Sequence, residues 1–318
     1  MTPPTDAQFY AQMTLIRQTE QAFFDLYARG LMAGTVHTSI GQEACAVGVV
    51  AALDRERDVI FSSHRAHGHF LAYCDDVDGL VAELLGRRTG VVGGVGGTQH
   101  LHTRNLYTNG IQGGIVPNAV GAALAEKLNG SGAIVTVFLG DGTLGEGVVY
   151  ESMNLASLWQ LPLLFVLEDN HYAQSTPKHI EHAGSLADRP RAFGIATHDL
   201  TGGPTHTMAA ALDVSEVYAA ACTAVAYVRD RCAPYFLALP TYRLAPHSKG
   251  DDTRLSEELA AAWSRDPLER LGSRLDPGER EELDAAAAAR VQKAIDAALA
   301  EAPQSLAQFA EGARWQPA

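Results

Sequence analysis

Asp141 and Asn170 stand about 30 residues apart, each near the end of a run of apolar and β-branched residues and each followed by a turn. Both offer hard oxygen ligands of the kind magnesium takes, in a near-octahedral shell completed by phosphate oxygens and water. A backbone carbonyl near Tyr172 would add a third. Gly140 and Gly142 flank the aspartate, so backbone N–H groups there and at Thr143 can turn toward an anion, helped by the helix start that follows. The chemistry this favours is a magnesium-bound diphosphate. An isolated Gly-Asp-Gly has a plainer use, because aspartate also caps helices.

Convergence of the two residues depends on the elements between them. Residues 133–139 are continuously apolar or β-branched, the mark of a strand buried on both faces of a parallel sheet. Over 146–159, Val149, Met153 and Ala156 recur at helical spacing, and Pro162 opens a second buried strand to 167. A right-handed strand–helix–strand crossover leaves both strands parallel, so the turns after them share the sheet edge where open α/β folds bind ligands.

The rest of the chain continues an α/β pattern. Helices are expected over 10–29, 41–53, 117–128 and 215–231, strands over 59–62 and 235–239, and an alanine-rich helix from Asp276-Pro277-Gly278-Glu279 to about 302. The glycine-dense stretch 86–114 has no sustained period and reads as a long ordered loop of functional type. Residues 245–256 read as a mobile polar loop. One domain accounts for 1–318: an N-terminal helical extension (1–30), an α/β core (31–242), the loop (243–256) and C-terminal helices (257–318).

Two further groups suit the same chemistry. Arg65 follows the strand 59–62 beside His64, and a planar guanidinium can make paired hydrogen bonds to phosphate oxygens. His247 lies on the polar loop, where a side chain titrating near neutrality can carry protons. The net charge of −13 argues against nucleic acid or an anionic membrane as partner. Cys45, Cys74, Cys222 and Cys232 have no metal-like or redox spacing and read as reduced thiols. No signal or membrane-spanning run is evident, which points to the cytoplasm.

The same residues carry a resemblance. Gly-Asp-Gly followed about 30 residues later by Asn is the thiamine diphosphate signature, and around it Gly41-Gln42-Glu43-Ala44, Ser63-His64-Arg65-Ala66-His67-Gly68-His69, Gly96-Gly97-Thr98-Gln99-His100, Asn118-Ala119-Val120-Gly121, Asn170-His171-Tyr172-Ala173, Thr241-Tyr242-Arg243 with His247-Ser248, and Asp266-Pro267-Leu268-Glu269 stand in family order. Over roughly residues 30–275 the chain resembles the α subunit of the decarboxylating component of 2-oxo acid and acetoin dehydrogenase complexes. The resemblance implies a three-layer thiamine diphosphate-binding fold, with a mostly parallel sheet, helices on both faces and a C-terminal helical extension. It also implies thiamine diphosphate and Mg2+ as cofactors, with the metal on Asp141, Asn170 and Tyr172. Arg65 would grip the diphosphate with help from His64, Gly110 and Gln112 would lie along the aminopyrimidine, and His247 and His64 would serve catalysis.

Three departures stand out. Asp169 replaces a usual Asn, Gln112 replaces a usual apolar residue, and a downstream Tyr-Arg pair is missing, with Arg254 a candidate substitute. A buried amide is costly unless hydrogen-bonded, so Gln112 is expected to meet a polar substrate if the local match holds. In the family, the Glu that activates the aminopyrimidine comes from a different domain. Glu43 and Glu146 match the diphosphate side, and only a loop and helices come after residue 240. The expectation is therefore a chain active only with a β subunit, as an α2β2 heterotetramer, passing an acyl unit from a 2-oxo acid or acetoin to a lipoyl-bearing acyltransferase or carrier protein. The alternative is a transketolase-like transfer of a two-carbon ketol unit from a ketose phosphate, prompted by Gln112 and the nearby histidines.

Overall fold

The structure, a computed structural model, describes residues 3–32, 34–203, 211–248, 250, 252–305 and 307. Its helices are α1 (Asp6–Ala28), α2 (Glu43–Ala51), α3 (His67–Cys74), α4 (Val77–Leu84), α5 (Ile115–Asn129), α6 (Gly147–Leu158), α7 (Lys178–Glu181), α8 (Asp188–Arg191), α9 (Val214–Arg231), α10 (Ser256–Trp263), α11 (Pro267–Gly272) and α12 (Pro277–Ala300). The strands are β1 (Val59–Ser62), β2 (His102–Thr103), β3 (Leu106–Thr108), β4 (Val135–Gly140), β5 (Leu163–Asp169), β6 (Tyr172–Ala173), β7 (Thr176–Pro177), β8 (Ala196–Asp199) and β9 (Tyr235–Pro240). Lys249 and Asp251 of the expected loop, and the end of the C-terminal extension beyond 307, lie outside the described residues.

Seven strands form one sheet in the order β2-β3-β1-β4-β5-β9-β8, parallel except for the β2–β3 pair. Alternation along each strand sends side chains to opposite faces. Val135, Val137 and Leu139 of β4 and Phe165 and Leu167 of β5 pack with α5 and α6, while Phe138, Leu164 and Val166 join α1, α2 and α9 on the other side. The result is the three-layer α/β fold expected, with α12 packed along α1 and α4. No helix among the described residues is long and apolar enough to cross a membrane.

Local differences from the sequence reading have identifiable causes. Helix α1 begins at Asp6, four residues early, because Thr5 and Gln8 form a reciprocal capping box. The stretch 86–114 is not loop throughout: β2 and β3 make a hairpin that extends the sheet beyond β1. Before that hairpin, the Glu83 carboxylate accepts four backbone N–H groups, from Val92 (2.9 Å), Gly94 (2.8 Å), Gly96 (2.7 Å) and Gly97 (3.1 Å). Gly94 adopts φ +76° there, and a Cβ on it would meet the Arg87 carbonyl oxygen at 2.4 Å. The expected loop after β9 is tied down by Arg254, which donates to the carbonyls of Arg243 (2.5 Å) and Ala245 (2.8 Å) and pairs with Asp252 at 2.6 Å.

Candidate active site

At the carboxyl ends of β4 and β5 the chain turns out of the sheet on the same edge, where Gly140 pairs with Glu168. A cavity of about 470 Å³ opens there, and His64, Arg65, Gly110, Gln112, Gly140, Asp141, Gly142, Thr143, Asn170, Tyr172 and His247 all line it. Every site residue singled out in the sequence is thus brought to one place. The wall also holds Glu146, whose match lies on the diphosphate side, and His37, Gln42, Gln99, Glu168 and Glu181, which the sequence reading did not assign to the site. Gln42 and Gln99 lie in recognised stretches. His37 had no spacing signal at all.

Asp141 is nearly inaccessible, at 1% exposure. Its Oδ1 accepts the Gly142 N–H at 3.1 Å, its backbone oxygen accepts from His182 Nε2 at 2.9 Å, and its Oδ2 is buried with no hydrogen-bond partner. Burial, followed by the charge of Asp169, pushes the carboxyl up to about 7. Asn170 sits nearby with its Oδ1 accepting the Tyr172 N–H at 3.1 Å. An orphaned carboxylate oxygen and an amide oxygen on residues lining one cavity are a donor set that fits a hard cation such as Mg2+. Asp141, Glu146, Glu168 and Glu181 surround this cavity, and among its described lining residues Arg65 alone carries a permanent positive charge. A diphosphate would meet repulsion here unless a cation accompanied it.

The extra carboxylate of Asp169 does not face the cavity. It pairs with Lys178 at 2.5 Å, with both side chains buried, because the β6–β7 hairpin turns the chain back onto β5. His67 likewise has an internal role, bridging Glu20 (2.9 Å) and Thr98 (2.7 Å), while His69 bonds to Ser62 at 2.8 Å. Glu43 is outside the lining: it takes both ends of a bond pair from Arg17 and the Gly41 N–H at 2.9 Å. That N–H belongs to a glycine at φ +93°, where a Cβ would lie 2.4 Å from the Tyr242 carbonyl, so the segment leading to His247 packs directly on it. Glu146 lines the cavity and accepts the Gly113 N–H at 2.9 Å.

Arg65 reaches from the end of β1 to the carbonyl of Thr38 (2.5 Å) and to the backbone oxygen and Nδ1 of His247 (both 3.2 Å). The rings of His37, His64 and His247 cluster beside it, His37 lying edge-on to His64 at 4.6 Å and to His247 at 4.9 Å. Gln112 lines the cavity, and its amide nitrogen donates to His64 Nδ1 at 2.6 Å.

Burial, then the charges of Arg65, His37 and His247, holds the His64 pKa well below 6.5. The folded state therefore binds fewer protons at this ring than the unfolded state does, and stability falls as pH drops below about 6.5. Urea midpoints measured from neutral pH downward should fall less steeply in His64→Asn than in the parent; identical slopes would remove His64 from the acid response.

The family of this chain emerges from sequence comparison. The family described as "Dehydrogenase E1 component" matches residues 11–311. The chain belongs to the dehydrogenase E1 component family. It is 39% identical over 271 residues to the pyruvate dehydrogenase E1 component subunit alpha of Zymomonas mobilis, covering 83% of this chain and 74% of that one. The corresponding Rhizobium meliloti subunit is 36% identical over 279 residues, covering 85% and 77%. The alpha subunit of the acetoin:2,6-dichlorophenolindophenol oxidoreductase of Bacillus subtilis is 37% identical over 246 residues, covering 76% and 71%. Membership makes the chain part of a thiamine diphosphate-dependent dehydrogenase component, in keeping with an anion-and-cation cavity at the ends of parallel strands.

Proposed function

We propose that this chain is the α subunit of a cytoplasmic, thiamine diphosphate- and Mg2+-dependent enzyme that decarboxylates a 2-oxo acid, or cleaves acetoin, and passes the acyl unit to a lipoyl group on a partner protein. The observation that carries this reading is the orphaned, buried Asp141 Oδ2 in a residue that lines one cavity with Asn170 and Arg65. When bound, thiamine diphosphate supplies a nucleophilic carbon and an electron sink, which no side chain offers. Asp141, the Asn170 side-chain oxygen and the Tyr172 backbone carbonyl would hold Mg2+. Arg65, with the backbone at Gly140, Gly142 and Thr143, would hold the diphosphate, and Gly110 and Gln112 would line the ring. His64 and His247 would hold or move protons at the substrate oxygens.

The Glu that activates the aminopyrimidine would come from a β subunit, in an α2β2 heterotetramer. Glu43, locked to Arg17, and Glu146, engaged by Gly113, support that division of labour. The relatives named alpha subunits support it too. A second reading, ketol transfer from a ketose phosphate to a lipoyl or carrier-protein acceptor, is favoured by the amide-rich lining of Gln42, Gln99 and Gln174. Reconstitution with the β subunit, with a lipoylated acceptor and a panel of 2-oxo acids, acetoin and ketose phosphates, separates the two. Turnover of a 2-oxo acid or acetoin that requires Mg2+ and both subunits is expected. Turnover by the α chain alone would refute the shared site, and turnover of ketose phosphates only would select the second reading.

A further inference from the structure

Gln112 stands in the turn before α5, and His64 between β1 and α3, so the fold brings them together from 48 residues apart. The Gln112 amide nitrogen lies 2.6 Å from His64 Nδ1 and 3.3 Å from the Gly110 carbonyl oxygen. A carbonyl only accepts, so that end of the amide is the nitrogen, and an amide nitrogen only donates. His64 Nδ1 must then accept. A neutral imidazole that accepts at Nδ1 carries its proton on Nε2. The ring is held neutral by burial and by the positive charge of Arg65, with His37 and His247 adding to it.

His64 Nε2 is buried with no hydrogen-bond partner, in a side chain that lines the cavity. A buried donor left in that state is costly, and an arriving oxygen recovers the cost. His247 Nδ1 also accepts, because the guanidinium of Arg65 facing it at 3.2 Å can only donate. The ligand atoms of His37, His64 and His247 lie within 4.8 Å of one another, a grouping that by composition resembles a transition-metal site. The Nδ1 lone pairs of two of the three rings, however, are already engaged by Gln112 and Arg65, where a metal would require them open.

We propose that Gln112 is a positioning residue that fixes His64 in the Nε2–H tautomer, so that His64 presents an N–H donor to an anionic or carbonyl oxygen of the substrate. The substrate half of this inference rests on the reading under Proposed function; the tautomer does not. Gln112 therefore acts through His64.

The test is nitrogen-15 NMR of the full chain labelled at its histidine rings, without cofactor, with His64 assigned by the signals that vanish in His64→Gln. The parent should show an unprotonated Nδ1 and a protonated Nε2. In Gln112→Glu the carboxylate can only accept, so the proton should move to Nδ1, and in Gln112→Met both tautomers should appear. Unchanged signals from the other histidines report that each variant is folded. Protonated Nδ1 in the parent, or a Gln112→Glu spectrum like the parent's, overturns the proposal. In the reconstituted complex, Gln112→Glu should lower kcat by about 100-fold, the scale of a lost proton donor, with little change in KM. A flipped tautomer with unchanged kcat would overturn the donor role of His64. A parent complex that turns over none of the substrates falls on the proposed function instead, because the NMR result does not depend on it.

Discussion

Replacing Arg17 with methionine should cost about 3–5 kcal/mol of stability, the range for breaking a buried ion pair. Arg17 sits on α1 and reaches both Glu43 of α2 (2.5 Å) and Asp266 at the start of α11 (2.7 Å), whose side chains are at 0% exposure. Methionine fills much of the space but strands two buried carboxylates. Urea unfolding would show the loss as a lower midpoint at unchanged slope. Adding Glu43→Gln and Asp266→Asn to the same background should recover part of it, since the stranded charges are then gone. A loss under about 1 kcal/mol would mean the triad is hydrated or replaceable. The consequence reaches the site, because Glu43 also holds the Gly41 N–H, next to the cavity-lining Gln42.

The second large effect concerns Asp141. Asp141→Asn in the reconstituted complex should weaken Mg2+-dependent binding of thiamine diphosphate by at least about 100-fold, since removing an outer partner of a metal ligand alone costs 10–100-fold. Calorimetry with and without Mg2+ measures it. The stability of the cation-free chain should move the other way, rising by about 1 kcal/mol, because the substitution removes a buried charge whose Oδ2 has no partner. Opposite signs in the two measurements distinguish a metal ligand from a helix cap. Unchanged cofactor binding would take Asp141 out of the site.

These residues were readable in the sequence because a buried parallel strand announces itself as an unbroken apolar run, and β4 and β5 are such runs. The turn that leaves a strand of that kind lands at a predictable edge. The polar edge strand β8, Ala-Thr-His-Asp, carries no such run and was not foreseen. Nor were β2 and β3, which are too short to show a period and exist through pairing with one another and with β1. The partner of Asp169 was hidden for a related reason. Lys178 reaches it only after His171 and Gln174 take positive φ values, 72° and 55°, and fold the β6–β7 hairpin back. Gln112 was legible as an oddity, but its meaning lay in His64, and nothing in either stretch of sequence says that the two touch.

Four amides, those of Val92, Gly94, Gly96 and Gly97, depend on one carboxylate. Such a cluster cannot fray one bond at a time, because rotating the Glu83 side chain releases all four together. In hydrogen exchange the four should keep common time, with one opening free energy shared across residues that have no ladder between them. Glu83→Gln, which turns half of the acceptor into a donor, should set them all running faster by a similar factor. The segment that delivers Gln99 to the cavity would then behave as a latch with a single catch.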